Sequence, residues 1–387
     1  MRPKIAKQVK SLPPSGIRKF FDLVVSTEGV ISLGVGEPDF TTPWHIREAS
    51  VHTIEKGYTT YTSNYGLLEL REQIAKNSNR KFNVLYNPKT EVLVTVGVSE
   101  ALDVALRAIL DPGDEVLIPE PCFVSYNPCT VLAGGKPITI ETTAETEFKV
   151  TPELLKEHIS DKTKVLLLSY PNNPTGSILT ESEMREIAKV VFENDLLVIS
   201  DEIYSDLTFE GEHTCFASLP GMRDRTIVLN GFSKSYAMTG WRIGYAMACE
   251  EIIDAMVKIH QYSIMCAPVM GQMAALEALA TGEEDVKKMY NVYDQRRNLI
   301  VSKFNNMGLE CHTPKGAFYA FPSIKNTGFS SEEFAERLLM EEKVAVVPGN
   351  AFGSCGEGFI RCAYASSTEN IVEALNRIEE FIKRNIT

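Results

Sequence analysis

Side chains that could do chemistry follow two apolar runs of the sequence. Lys234 closes the segment 226–234, Thr-Ile-Val-Leu-Asn-Gly-Phe-Ser-Lys, and Asp201 directly follows the run 196–200. A lysine is ordinarily solvated, but a lysine that is partly buried beside cations has a lowered pKa and can act as a Schiff-base nucleophile. A carboxylate at the inner end of a buried strand needs a cation, a metal or a hydrogen-bond donor. The two residues therefore predict a reactive centre, or else a surface lysine and a helix-capping aspartate.

Three further groups could bind an anion. The turn 97–100, Gly-Val-Ser-Glu, leads into an apolar helix, so its free backbone N–H groups and the Ser99 hydroxyl could hold a phosphate. Arg242 and Arg361 are candidate clamps, because a guanidinium group matches a phosphate or a carboxylate in a fork geometry. From the residues alone, Ser99 could equally cap a helix, and each arginine could form a structural ion pair.

Other cofactor and nucleophile motifs fit poorly. The Gly-x-Gly pairs of the sequence lack the third glycine of a dinucleotide loop, and no Gly-x-x-x-x-Gly-Lys-Ser/Thr loop occurs. The segment around Ser99 resembles a hydrolase elbow, but Ala101 replaces the final glycine and no triad is evident. A Rossmann dehydrogenase and a P-loop enzyme are therefore disfavoured.

The elements that must position these groups alternate short apolar runs with helical stretches. We predict helices at 100–110 and 180–194, the second opened by Thr180 and Glu183. Buried strands are predicted at 92–96, 115–118, 165–169, 196–200 and 226–230. This alternation predicts an α/β fold with a mostly parallel sheet that is covered on both faces. Because ligands collect at the carboxyl ends of such strands, we expect the polar groups to share one cleft.

After about residue 280 the pattern changes to a smaller α+β unit. Short apolar runs at 318–321, 344–347 and 359–362 are accompanied by predicted helices at 331–342 and 368–384. We therefore predict two domains. The large one spans 46–279, and the small one is discontinuous, combining 1–45 with 280–387.

Composition narrows the functional class. The chain has 387 residues and a formal net charge of −12, which argues against a nucleic-acid or membrane surface. Its eight cysteines form no CxxC pair and its six histidines do not cluster, so no metal site is expected. No apolar run could span a bilayer, and the start carries no export signal. These features predict a soluble, cytoplasmic protein with free thiols.

Six short motifs follow one another along nearly the whole chain. They lie at 33–40 (Leu-Gly-Val-Gly-Glu-Pro-Asp-Phe), 173–176 (Asn-Pro-Thr-Gly), 200–204 (Ser-Asp-Glu-Ile-Tyr), 233–245 (Ser-Lys-Ser-Tyr-Ala-Met-Thr-Gly-Trp-Arg-Ile-Gly-Tyr), 314–319 (Pro-Lys-Gly-Ala-Phe-Tyr) and 347–349 (Val-Pro-Gly). In this order they resemble the class I pyridoxal-phosphate aminotransferases of fold type I. The subgroup resembled holds many prokaryotic aspartate and aromatic aminotransferases.

The resemblance implies pyridoxal 5′-phosphate as the cofactor and a role for each matching residue. Lys234 would carry the cofactor as a Schiff base and move the substrate Cα proton, while Asp201 would pair with the pyridine nitrogen. Asn173 and Tyr204 would hydrogen-bond the cofactor 3-oxygen. The other cofactor contacts would come from the backbone of Val98, Ser99 and Glu100, from Ser233 and Arg242, from Phe123 stacked on the ring, and from Tyr61 of the neighbouring subunit in a homodimer.

The resemblance also implies the substrate contacts. Arg361 would clamp the α-carboxylate with help from Asn173, Gly36 would allow close backbone approach, and Ile17 would form an apolar lid. Arg18, beside that lid, could contact a side-chain anion.

Two departures from the family pattern stand out. Gly231 occupies a position where some members carry a phosphate-binding serine, which makes Ser233 the substitute. Residues 246–275 contain no arginine, although dicarboxylate-specific relatives of another subgroup take a second arginine from the partner subunit.

The implied activity is a ping-pong amino acid:2-oxo acid aminotransferase. Its acceptor would be 2-oxoglutarate and its donor aspartate or an aromatic amino acid, with the active site at the interface of a homodimer. Alternatives are an N-acetyl-diaminopimelate aminotransferase, a pyridoxal-phosphate-dependent carbon–sulfur β-lyase and, least favoured, a non-catalytic cofactor-binding regulator.

Overall fold

The computed structural model describes residues 4–13 and 28–385. A short strand, β1 (Ile31–Ser32), precedes the seven strands of a central sheet. These are β2 (Val92–Thr95), β3 (Glu115–Glu120), β4 (Lys136–Glu141), β5 (Thr163–Ser169), β6 (Leu197–Asp201), β7 (Thr226–Gly231) and β8 (Gly244–Met247). The strand order is β2-β8-β7-β6-β5-β3-β4, and only β8 runs antiparallel to its neighbours.

The five predicted strands are confirmed to within two residues at most ends. They are apolar and buried along nearly their whole length, as a sheet covered on both faces requires. Strands β4 and β8 were not predicted. β4 is an edge strand with half-exposed side chains, and β8 is built around Gly244, whose Cα packs against the backbone of Gly97. Neither strand shows a continuous run of large apolar residues.

Helices cover both faces of this sheet. They follow the short helix α1 (Lys7–Ser11) and are α2 (Trp44–Glu55), α3 (Leu68–Phe82), α4 (Gly97–Ile109), α5 (Tyr126–Leu132), α6 (Pro152–His158), α7 (Glu181–Glu193), α8 (Glu250–Ser263) and α9 (Val269–Thr281). Apolar residues of α4 and α8 pack on one face, and those of α3, α7 and α9 on the other. The predicted capping box of α7 is confirmed, since the Thr180 Oγ1 accepts from the Glu183 amide at 3.3 Å and the Glu183 carboxylate accepts from the Thr180 amide at 2.7 Å.

The carboxyl-terminal part forms a second core. Its helices are α10 (Glu283–Asn306), α11 (Ser331–Glu342) and α12 (Thr368–Asn385). Its strands are β9 (Tyr319–Ala320), β10 (Val344–Ala345), β11 (Val347–Pro348) and β12 (Ile360–Ala363). β9, β12 and β11 form an antiparallel sheet, while β10 pairs in parallel with β1. The pairing ties residues 31–32 to this part of the chain, but the domain boundaries at residues 45 and 279 stay a prediction.

The architecture is the expected α/β fold. Its central sheet is mostly parallel, and the carboxyl ends of β5, β6 and β7 face the second core. Within residues 4–13 and 28–385, no helix is long and apolar enough to cross a membrane.

Candidate active site

A cavity of about 440 Å³ lies where the strand ends of the central sheet meet the second core, a volume in the usual range for small-molecule sites. Eleven of the fourteen residues predicted for the site line it, which confirms the expectation of one shared cleft. They are Gly36, Val98, Ser99, Phe123, Asn173, Asp201, Tyr204, Ser233, Lys234, Arg242 and Arg361. In the described part of the chain, no three His, Cys, Asp or Glu side chains are grouped to hold a metal ion.

Lys234 projects into this cavity just beyond the end of β7. Its Nζ donates to the Gly36 carbonyl oxygen at 2.6 Å and lies 5.9 Å from the centroid of the Tyr204 ring. Burial lowers the pKa of Lys234 to about 8, and the nearby charges of Arg361 and Arg242 act in the same direction. The amine is therefore neutral, and nucleophilic, in a larger fraction of molecules at neutral pH than an exposed lysine would be.

Asp201 is the last residue of β6 and is 6% exposed. One carboxylate oxygen accepts from the Tyr126 hydroxyl at 2.8 Å and the other from the Ile203 amide at 3.2 Å. Burial raises the pKa of Asp201 to about 6 although both hydrogen bonds oppose that shift. Since no cation is paired with it in the described chain, a protonated ring nitrogen facing Asp201 would supply the missing positive partner.

One end of the cavity combines a helix N-terminus with Arg242. α4 begins at Gly97, which has a positive φ of 74°, and Val98 and Ser99 of its first turn face the cavity. A side chain at Gly97 would collide with the Arg242 guanidinium, so only glycine lets the turn and the arginine converge. Arg242 is exposed and donates to the Thr239 carbonyl oxygen at 2.9 Å. Arg242 has no carboxylate partner among the residues that the structure describes, and backbone N–H groups beside such a cation could hold an anion.

Arg361, in β12, is a second candidate for binding an anion and is more deeply buried than Arg242. Its side chain donates to the Asn173 Oδ1 at 2.9 Å and to the Gly34 carbonyl oxygen at 2.6 Å. It is 4% exposed, its Nε has no hydrogen-bond partner, and no carboxylate pairs with it within residues 4–13 and 28–385. A buried guanidinium without a counter-ion is costly, so this position favours a bound carboxylate.

Of the predicted residues that the structure describes, Glu100 and Tyr61 do not line this cavity. The prediction for Glu100 concerns its backbone and stays a prediction. Its carboxylate accepts from the Val96 amide at 2.5 Å and pairs with the Nδ1 of His260 at 2.7 Å. Tyr61 is 79% exposed on the surface of the chain. Ile17 lies outside the described residues.

Other lining residues were not assigned a role from the sequence. They include Val35, Glu37, Val124, Tyr126, Thr239 and Tyr319. Glu37 and Tyr319 belong to motifs that were recognised, and Tyr126 follows Phe123 by one helical turn, so their positions gave a usable signal. The hydroxyl of Tyr319 lies 2.7 Å from that of Tyr204.

The comparisons agree with this geometry. The family described as aminotransferase class I and II matches residues 28–378. The chain belongs to this family. Over 373 residues it is 47% identical to the aspartate aminotransferase of Pyrococcus abyssi, with 96% of each chain covered. Over 382 residues it is 44% identical to aromatic-amino-acid aminotransferase 2 of Thermococcus litoralis, with 98% of each covered.

A solved structure gives the same result in three dimensions. The aromatic aminotransferase of Pyrococcus horikoshii has a TM-score of 0.91 and 46% identity to this chain, covering 95% of this aminotransferase and 99% of that one. The protein is thus an enzyme that transfers amino groups and depends on pyridoxal 5′-phosphate.

The cavity of this aminotransferase fits that cofactor. Asp201 would face the ring nitrogen, Lys234 the aldehyde carbon, and the α4 turn with Ser233 and Arg242 the phosphate. Gly97 decides the fit, because its missing side chain leaves the turn and the Arg242 guanidinium open to one anion. Phe123 borders the same space and offers an aromatic face.

Proposed function

We propose that this aminotransferase moves the amino group of an aromatic amino acid or aspartate to 2-oxoglutarate in a ping-pong reaction. The observation that supports the proposal is Arg361, a buried guanidinium with no carboxylate partner among the described residues, which shares a cavity with Lys234, an amine whose pKa is lowered to about 8. An α-amino acid and a 2-oxo acid both offer a carboxylate next to the carbon that reacts. The same clamp would therefore serve both half-reactions.

The chain's own residues would act by orientation and proton transfer. Pyridoxal phosphate supplies, when bound, an aldehyde for the amino group and a ring that withdraws electrons from the substrate Cα. Arg361 and Asn173 would hold the α-carboxylate and so fix the Cα–H bond toward Lys234. The Lys234 amine would take the proton from the Cα of the amino donor and, in the second half-reaction, return a proton to the Cα of the product amino acid. Asp201 would keep the ring nitrogen protonated.

The residues that line the cavity favour an aromatic amino acid over aspartate as the amino donor. Val35, Phe123 and Val124 present apolar surface, and the described lining has no cation besides Lys234, Arg242 and Arg361. The two arginines are assigned to the phosphate and the α-carboxylate, so a side-chain carboxylate would need another group. Arg18 of the sequence is the candidate for that contact and lies outside the described residues.

A homodimer is part of the proposal. Tyr61 is 79% exposed, Tyr262 87% and Tyr58 57%, and Ile264 and Met265 are 44% and 42% exposed. Large exposed apolar side chains of this kind are typical of an interface. Tyr61 would reach the phosphate of the neighbouring subunit. The eight free thiols support a reducing compartment, the cytoplasm, as the place of action.

The test is an absorbance spectrum of the purified protein, before and after single amino acids are added without an oxo acid. We expect a visible cofactor band that phenylalanine or tyrosine converts at lower concentration than aspartate. Conversion by aspartate alone would reverse the order of donors. Release of pyruvate and ammonia from cystathionine, without conversion by any amino acid, would favour the β-lyase. No visible band after adding pyridoxal phosphate would overturn the proposal.

A further inference from the structure

Tyr319, which has no assigned role so far, lies between Arg361 and Tyr204 in the site. It is in β9, opposite Ala363 of the antiparallel strand β12, and Arg361 precedes Ala363 by two residues on the same face. The guanidinium carbon of Arg361 lies 4.5 Å from the centroid of the Tyr319 ring. The ring is 1% exposed, so the cation and the ring interact with little screening by water.

The hydroxyl of Tyr319 reaches across to the central sheet. It lies 2.7 Å from the Tyr204 hydroxyl, and the two rings meet edge to face with centroids 5.8 Å apart. A Cβ at Gly36 would come within 2.5 Å of the Tyr319 hydroxyl oxygen. The glycine therefore lets the backbone close over this hydroxyl, which has little room to turn elsewhere.

The surroundings of the two phenols indicate which of them donates in the hydrogen bond between Tyr204 and Tyr319. Burial raises the pKa of Tyr204 and of Tyr319, so each phenol keeps its hydrogen at neutral pH. Among the described residues, neither hydroxyl has another hydrogen-bond partner. Both tyrosines border the cavity, but the Arg361 guanidinium lies over the Tyr319 ring and draws electrons from it, which makes the Tyr319 phenol the stronger donor of the two. If Tyr319 donates, the Tyr204 hydrogen is free to point into the cavity.

We propose that Tyr319 is a positioning residue that donates to the Tyr204 hydroxyl, aims the Tyr204 hydrogen into the cavity, and makes this aim respond to what Arg361 binds. The inference rests on the proposed function and on the role that the family resemblance implies for Tyr204, a hydrogen bond to the 3-oxygen of the cofactor. A donated bond strengthens the hydroxyl that receives it as a donor. Neutralising Arg361 with a carboxylate weakens Tyr319 as a donor, because the cation over its ring no longer draws electrons from it.

The test compares Tyr319→Phe with Tyr364→Phe. Tyr364 is a matched control, since its buried hydroxyl donates to the Ala317 carbonyl oxygen at 3.3 Å next to β9 but does not line the cavity. The measurement is the pH midpoint of the visible absorbance of the cofactor-loaded protein. We expect Tyr319→Phe to raise the midpoint by roughly half a pH unit, because a weaker bond from Tyr204 stabilises the deprotonated form less. Tyr364→Phe should leave it unchanged.

A second measurement tests the link to Arg361. The probe is 3-phenylpropionate, a carboxylate that has no amino group and cannot react. In the wild type, 3-phenylpropionate should raise the midpoint above its value without the probe. In Tyr319→Phe the probe should raise the midpoint by a smaller amount. Equal effects in both proteins, or a midpoint in Tyr319→Phe equal to that of the control, would overturn the inference.

The design separates this inference from the proposed function. A wild-type protein without a visible band, or without conversion by any amino acid, contradicts the proposed function. A wild-type protein that transaminates while Tyr319→Phe titrates normally contradicts only the role of Tyr319. Should Tyr319→Phe fold poorly by thermal melting, Tyr204→Phe removes the same hydroxyl contact from the other side. Its midpoint should rise by more than half a pH unit, and 3-phenylpropionate should shift that midpoint less than it does in the wild type. A shift as large as in the wild type would overturn the inference.

Discussion

The two arginines of the cavity are held in opposite ways. Arg242 is exposed, has a positive φ of 54°, and donates to a single carbonyl oxygen beside a helix N-terminus. Arg361 is 4% exposed, donates to two acceptors, and lies between the rings of Tyr319 and Phe352 at 4.5 and 4.7 Å. One cation is solvated and shares its task with backbone N–H groups. The other is desolvated and fixed from several sides.

This difference in burial indicates what the Arg242 end and the Arg361 end of the cavity can each contribute to binding. A charge in water interacts weakly and is screened by salt, so Arg242 adds affinity for a phosphate that other groups also hold. A charge in a buried site interacts more strongly and costs more when its geometry is lost. Arg361 is therefore suited to orienting a substrate, and the predictions below test this contrast between the two ends.

The largest effect is expected between the two ends, at Lys234. Lys234→Ala should abolish turnover, a loss beyond the ~10²–10⁴-fold that acid–base catalysis contributes, because the nucleophile is removed as well. A coupled assay with amino acid and 2-oxoglutarate measures this loss. The exposed Lys136, which pairs with Glu115 at 3.0 Å far from the cavity lining, gives the control Lys136→Ala with normal activity. Residual turnover above one hundredth of wild type would contradict the assignment of Lys234.

Arg361→Lys tests the buried end. The substitution keeps a charge but loses the fork that bonds Asn173 and Gly34, and we expect kcat/KM for the amino donor to fall by about 100-fold. The dissociation constant for pyridoxal phosphate, from titration of the apoprotein, should change by less than about twofold. A loss of cofactor affinity as large as the loss of kcat/KM would remove the contrast between the ends.

The pKa of Lys234 tests both ends at once. Burial, Arg361 and Arg242 lower this pKa to about 8, so the neutral amine decreases below pH 8. The rate at which the apoprotein takes up pyridoxal phosphate covalently should fall about tenfold per pH unit below pH 8 and level off above it. Stopped-flow absorbance gives the midpoint. Arg361→Gln should raise that midpoint more than Arg242→Gln, and the reverse order would show that the exposed arginine acts more strongly.

Arg242→Gln should have the smallest effect. In the proposed site the α4 turn and Ser233 would hold the phosphate as well, so we expect the dissociation constant for pyridoxal phosphate to rise only about fivefold. Arg242→Lys, which keeps the charge, should recover part of this loss, and the KM for the amino donor should be nearly unchanged. A cofactor affinity that falls by more than the donor's kcat/KM does in Arg361→Lys would contradict the proposed division of tasks.

The sequence predicted the buried parallel strands well and the other elements less well. β2, β3, β5, β6 and β7 each contain a continuous apolar run because both faces of the sheet are covered, and this pattern is visible without a structure. β4 has an exposed edge, and β8 is short and rich in small residues. Their positions depend on neighbouring strands and not on their own residues.

The same distinction holds in the site. Lys234, Asp201 and the α4 turn each follow an apolar run, so the rule that ligands gather at strand ends was enough to bring them together. Tyr126 and Tyr319 were not assigned, because their nearness to Phe123 and to a family motif does not tell whether a tyrosine faces the cavity or the core. What links each of them to the site is a single hydrogen bond that is seen only in the structure: Tyr126 donates to Asp201 at 2.8 Å, and the hydroxyls of Tyr319 and Tyr204 lie 2.7 Å apart.

The sequence alone was enough to predict the α/β fold and to single out Lys234 and Asp201 as candidates, and its motifs were enough to indicate the family. The evidence for these features is local in sequence, because each apolar strand, each polar strand end and each motif consists of a few consecutive residues. Only the tertiary structure decided that Arg361 is buried without a counter-ion and that Tyr319 connects it to Tyr204. Those residues come together from positions 204, 319 and 361, because the register of β9 on β12 and the packing of the second core over the sheet fix distances that no local pattern encodes.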